Sequence, residues 1–159
     1  MKVKRMHVVA ASFGLVGVGV LAPVALASPP SGFTPTVLVK ADFDNTVHLN
    51  SDKVKFQTKK PTDVMVQKIV QDPGGSSGWH HHPGIVIVAV QSGSVTVWDS
   101  DCNTTTYGPG LPNGAVFTEG GDEPGQVTSS GGATLYATFV APSADPPAFR
   151  IEDVPPPCA

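Results

Sequence analysis

The sequence holds no Gly-rich phosphate loop, no H-E-x-x-H helix, no C-x-x-C pair and no basic aromatic patch. Nucleotide chemistry and protease chemistry of the common kinds are thereby excluded. No window carries a helical period and no segment recurs at a fixed interval, which removes helical and repeat architectures. Cysteine is scarce as well, with two residues in all, Cys102 and Cys158.

What is present begins with a targeting pattern. The chain opens MKVKRM, continues with an apolar stretch rich in Gly, Ala and Val, and reaches Ala25-Leu26-Ala27 just before Ser28. A charged start, an apolar run and an A-x-A site form a secretory signal peptide, expected over residues 1–27. The run approaches the length of a membrane span, but its glycines, Pro23 and the small-residue site favour cleavage. The rest of the chain suffices for one domain with a core and not for two.

Removing Lys2, Lys4 and Arg5 with the signal lowers the formal charge from −3 by three units, to −6. Such a surface repels phosphate backbones and anionic lipid, so no nucleic acid and no membrane partner is expected after cleavage. An even cysteine count in an exported chain reads as a disulfide between Cys102 and Cys158, tying the C-terminal tail to a mid-chain loop.

Segments 28–35 and 142–159 are Pro-rich and poor in apolar side chains, which predicts a lead and a tail flanking an ordered domain at 36–141. Within that domain short runs such as TVLVKADF, DVMVQKIVQ, IVIVAVQS, SVTVWDS, AVFTE and TLYATFVAP alternate with Gly, Pro, Asn, Asp and Ser clusters. Turn signals recur at roughly eight to twelve residues, the pattern of an all-β sandwich or barrel. Ser92-Gly93 reads as a tight hairpin between IVIVAVQ and SVTVWD, and Asp72-Pro73-Gly74-Gly75 as a turn ending DVMVQKIVQ.

The segment GWHHHPG, Gly78 to Gly84, concentrates three of the five histidines. Alternation along a strand puts His80 and His82 on one face and turns His81 to the other. The same parity continues to Val86, Val88 and Val90, predicting a pocket with an apolar base and two imidazoles near its mouth. GGSSG, Gly74 to Gly78, formally matches a serine-hydrolase elbow at Ser76, but strand-like sequence follows where that motif needs a helix. His48, Trp79 and Trp98 read as ordinary strand or core residues.

The stretch GWHHHPGIVIVAVQSG resembles the first signature of the cupin superfamily: His-x-His, three residues, a glutamate, six residues and a glycine. His80, His82 and Gly93 fall on the pattern, while Val86 occupies the glutamate position. The second signature is matched loosely by GAVFTEGGDEPGQVTSSG, Gly114 to Gly131. Here Gly120 stands for proline, Gly125 or Gln126 stands at the ligand histidine, and Ser129 at the asparagine.

The resemblance implies a cupin-type double-stranded β-helix, a jelly-roll barrel, over about residues 62–141. It also implies a divalent metal on His80 and His82 and pairing into a homodimer. Two imidazoles fall short of a complete site, since zinc enzymes use three protein ligands and non-haem iron oxygenases two histidines and a carboxylate. A third donor is expected from Glu119, Asp122, Glu123 or Gln126, in the loop after AVFTE.

The functional expectation is a secreted module binding a small molecule or, weakly, one ion of iron, manganese, zinc, copper or nickel. The alternative is a metal-dependent oxygenase or isomerase acting on a small organic substrate.

Overall fold

The computed structural model describes residues 27–144 and 146–158. The expected signal peptide, save Ala27, lies outside the described residues. The strands are β1 (Ser31–Phe43), β2 (His48–Asn50), β3 (Lys55–Gln57), β4 (Thr62–Ser76), β5 (His80–His81) and β6 (Ile85–Gly93). They are followed by β7 (Val95–Trp98), β8 (Thr104–Tyr107), β9 (Val116–Gly120), β10 (Gln126–Ser129), β11 (Ala133–Pro142) and β12 (Ile151–Glu152). The architecture is all-β, as its turn-punctuated sequence predicts.

One sheet runs in the order β8-β7-β10-β4-β11-β6-β9, with β1 added along β4. Period-two burial shows why these residues form a barrel wall. In β11 Ala133, Leu135, Ala137, Phe139 and Ala141 are buried, and in β6 Val86, Val88 and Val90 are buried while Ile85 and Ile87 face outward. The inward set packs with Met65, Ile69, Phe117 and Val127 into a single core. Burying a Val, Leu, Ile or Phe side chain is worth roughly 1.5–3 kcal/mol, so this stripe holds the barrel closed.

Two expected turns are differently used. Asp72 to Gly75 does not end β4 but forms a bulge within it. Register on β1 jumps here from Phe33↔Gln71 to Ser31↔Ser76, and Gly75 and Ser76 pair with β10. Pro73 offers no ladder donor and Gly74 takes φ +78°, so the strand bends at this corner and crosses from one side of the barrel to the other.

Ser92-Gly93 is not a hairpin. Gly93 has the positive φ of a turn, +75°, but β6 pairs with β11 and β9 whereas β7 pairs with β10 and β8. The glycine turns the chain between the two sides of the barrel, passing so close to β11 that a Cβ there would lie 2.1 Å from the Gly132 oxygen.

Pairing also extends beyond the span expected at 36–141. β1 begins at Ser31, inside the Pro-rich lead, and β12 lies in the tail, paired with β5. IVIVAV is an interior strand, and exposed apolar side chains lie instead on the edge strand β1, at Val37, Leu38 and Val39. Cys102 and Cys158 form the expected disulfide, with Cα atoms 6.1 Å apart.

Candidate metal centre

His80 lies in β5 and His82 just after it, ahead of β6, and both are buried, at 4 % and 5 % exposure. Strand parity brings them together as expected, with ring centroids 4.8 Å apart and the rings nearly perpendicular. His80 Nδ1 donates to the Gly78 carbonyl at 2.9 Å, and His82 Nδ1 donates to the Phe149 carbonyl at 2.5 Å. A carbonyl only accepts, so each Nδ1 carries a proton, which leaves Nε2 as the nitrogen through which each ring would ligate. Anchoring the distal nitrogen in this way is how ligating histidines are oriented.

Glu119 completes the cluster. Its Oε2 lies 3.7 Å from His82 Nε2, and ligand atoms of His80, His82 and Glu119 all fall within 4.8 Å of one another. Donors about 2.0–2.2 Å from one ion stand roughly 3 Å apart, so modest side-chain adjustment suffices. Burial pushes the His80 pKa down to about 4 against the opposing pull of Glu119. The imidazole is therefore neutral at ordinary pH, the state in which it ligates. Two imidazoles and a carboxylate suit a divalent transition metal.

The other expected donors lie outside this three-residue cluster. Glu123 is exposed and lines an outer cleft, and Asp122 sits in the turn at φ +61° with its N–H bonded to the His82 carbonyl. Gln126 gives its side-chain amide to Ser76 Oγ at 2.8 Å. Ser76 also accepts from the Gly78 N–H, so it caps a loop and has no base beside it. His48 is exposed in the separate β2–β3 pair, Trp79 is buried, and Trp98 donates to Thr128 Oγ1 while lining the outer cleft.

The cluster stands between two spaces. Inward is a cavity of about 140 Å³ walled mainly by apolar side chains, among them Phe33, Ile69, Val88, Leu135 and Phe139. Outward is a wider cleft edged by Ile85, Ile87, Val97 and Trp98.

The tail contributes more than its composition suggests. Phe149 holds His82, Arg150 Nη2 donates to the Ser77 carbonyl at 2.6 Å, and β12 runs beside β5 with Glu152 opposite His80. His81, on the face opposite His80 and His82, is half-buried against Asp153, with Nδ1 2.8 Å from Oδ2. Sequence reading missed these residues because a Pro-rich segment shows no periodicity to flag them.

No family model and no curated protein matches the sequence. Among solved structures, a cupin-2 domain protein of Rhodospirillum rubrum aligns over 93 % of this chain and 82 % of its own, with TM-score 0.51 and 15 % identity. The chain has the cupin fold.

An RmlC-like cupin of Shewanella frigidimarina aligns over 72 % of this chain and 80 % of its own, with TM-score 0.46 and 18 % identity. A salicylate 1,2-dioxygenase of Pseudaminobacter salicylatoxidans aligns over 47 % of this chain, which spans 20 % of that enzyme, with TM-score 0.41 and 16 % identity. At such identities the likeness is one of fold. Within this cupin barrel, the two departures from the signature become physical statements. Val86 stands directly across from Glu119 in the β6–β9 pair, so the carboxylate enters from the neighbouring strand. Gly125 bridges to His80 by backbone bonds in both directions, so no side chain enters from that position.

Proposed function

We propose that this chain is an exported cupin domain that binds one divalent transition metal on His80, His82 and Glu119, with a small molecule in the adjoining cavity. The observation carrying this reading is that both imidazoles have Nδ1 tied to a backbone carbonyl while a carboxylate faces the same space. A resident ion would supply a Lewis acid to polarise an oxygen of the small molecule. Export is supported by the signal-like start of the sequence and by the disulfide.

A second reading, a metal-dependent oxygenase or isomerase, is favoured by the donor set itself, since two imidazoles and one carboxylate are the ligands of non-haem iron oxygenases. Metal content of the untagged exported protein, measured by mass spectrometry beside His80→Ala, His82→Ala and Glu119→Gln, tests the primary reading. Near one equivalent of a single ion, lost in all three variants, is expected. Trace metal in equal amounts in all four proteins, not restored by iron, manganese, zinc, copper or nickel, overturns it.

A further inference from the structure

Two charged groups besides the histidines line the inner cavity, Glu119 and Arg150. Arg150 arrives from the C-terminal tail with its side chain 24 % exposed. Its Nε donates to Glu152 Oε1 at 2.7 Å, and its Nη2 donates to Glu152 Oε2 at 3.0 Å and to the Ser77 carbonyl at 2.6 Å. Among the described residues Nη1 makes no hydrogen bond, so the guanidinium keeps one edge free.

The charge balance follows from the metal reading proposed above, on which this inference rests. A divalent ion held by two neutral imidazoles and one carboxylate retains one unit of positive charge. Arg150 is matched by Glu152. One positive charge therefore stays uncompensated at the edge of an apolar cavity, where an unpaired charge is expensive. A monoanion relieves it. A neutral ligand leaves it, and a dianion exceeds it.

Size and lining set the rest of the ligand. The cavity of about 140 Å³ is close to the roughly 150 Å³ that accommodates a single benzene ring. Its wall is mainly apolar, with Phe33, Ile69, Val88, Leu135 and Phe139 outnumbering the polar Gln67 and Ser77, so a sugar or polyol would leave most of its hydroxyls without partners on entry.

We infer that the cavity takes a compact monocarboxylate, its carboxylate between the His80–His82–Glu119 face and Arg150 Nη1 and its single-ring or branched-alkyl body against the apolar wall. Glu152 is then a competitor as well as a support, since it holds the guanidinium in place and neutralises part of its pull.

The test is calorimetric titration of benzoate and benzamide, isosteric probes differing in charge, into zinc-loaded protein, Arg150→Met and Glu152→Gln. Benzoate is expected to bind on the order of tenfold or more tighter than benzamide, the value of one charge-assisted hydrogen bond. Arg150→Met should erase most of that preference. Glu152→Gln should move it the other way, tightening benzoate and leaving benzamide unchanged, an increase that mere structural damage would not produce. Equal affinity for the two probes in zinc-loaded wild type, or a preference undiminished in Arg150→Met, overturns the carboxylate assignment alone. A protein that takes up no zinc or other divalent ion overturns it together with the metal reading.

Discussion

Glu119 faces Val86 across the antiparallel β6–β9 pair, and the two side chains emerge on the same side of the sheet. Where the cupin signature places a carboxylate this chain has Val86, and a carboxylate stands across from it on the neighbouring strand.

An exchange of the two residues should therefore preserve the site. Glu119→Val is expected to weaken metal binding by more than about 100-fold, because losing a ligand exceeds the roughly 10–100-fold cost of losing a partner of one. Adding Val86→Glu to that variant should restore most of the affinity. Metal titration against a fluorescent chelator reads both steps, and a double variant as weak as the single would show that the pairing is incidental.

Gly125 invites the opposite experiment. It is bridged to His80, so a side chain introduced there would enter on the same face, with its Cβ 3.2 Å from the Trp98 carbonyl oxygen. Gly125→His is expected to raise metal affinity by about tenfold or more by adding a fourth donor. An unchanged or lower affinity, with the thermal midpoint preserved, would mean that the backbone cannot yield the few tenths of an ångström required.

The disulfide tethers the tail whose Phe149 carbonyl orients His82. With 56 residues of separation, reduction should cost about 4 kcal/mol of stability in the chain-entropy account, and paired Cys102→Ser and Cys158→Ser changes should cost the same. Metal affinity should fall in parallel by about 10–100-fold, the usual cost of losing a histidine's partner. Urea midpoints and metal titrations with and without reductant check this. A stability loss with undiminished affinity would separate the tail from the site.

Acid should weaken the metal-free fold through His80. The unfolded chain takes up a proton near pH 6.5, but the buried imidazole resists until about pH 4. Between these values the unfolded state binds more protons, so stability falls as pH drops through this window, by about 3 kcal/mol at pH 4. Urea midpoints at pH 7 and 4.5 in the presence of a chelator should differ in wild type, with the difference reduced in His80→Gln. Identical pH dependence in the two proteins would contradict the burial argument.

Much of the site was legible one strand at a time. Alternation predicted that His80 and His82 share a face with Val86, Val88 and Val90; all three valines are buried, and Val86 and Val88 line the cavity with the imidazoles. The same rule, applied to AVFTE, could have singled out Glu119 from its competitors, since it shares parity with the buried Phe117. The β4 bulge and the Gly93 corner were misread for one reason: glycine permits a positive φ without saying which strand the chain meets afterwards.

Period, turn chemistry and cysteine count, all local properties of the chain, determined a β architecture, the imidazole pair and the disulfide. Which strand stands beside which is a long-range matter, decided by closing a hydrophobic barrel around a single core. Only that closure set Glu119 opposite Val86, laid Gly125 against His80, and drew Phe149 and Arg150 from a tail without periodicity to the mouth of the cavity.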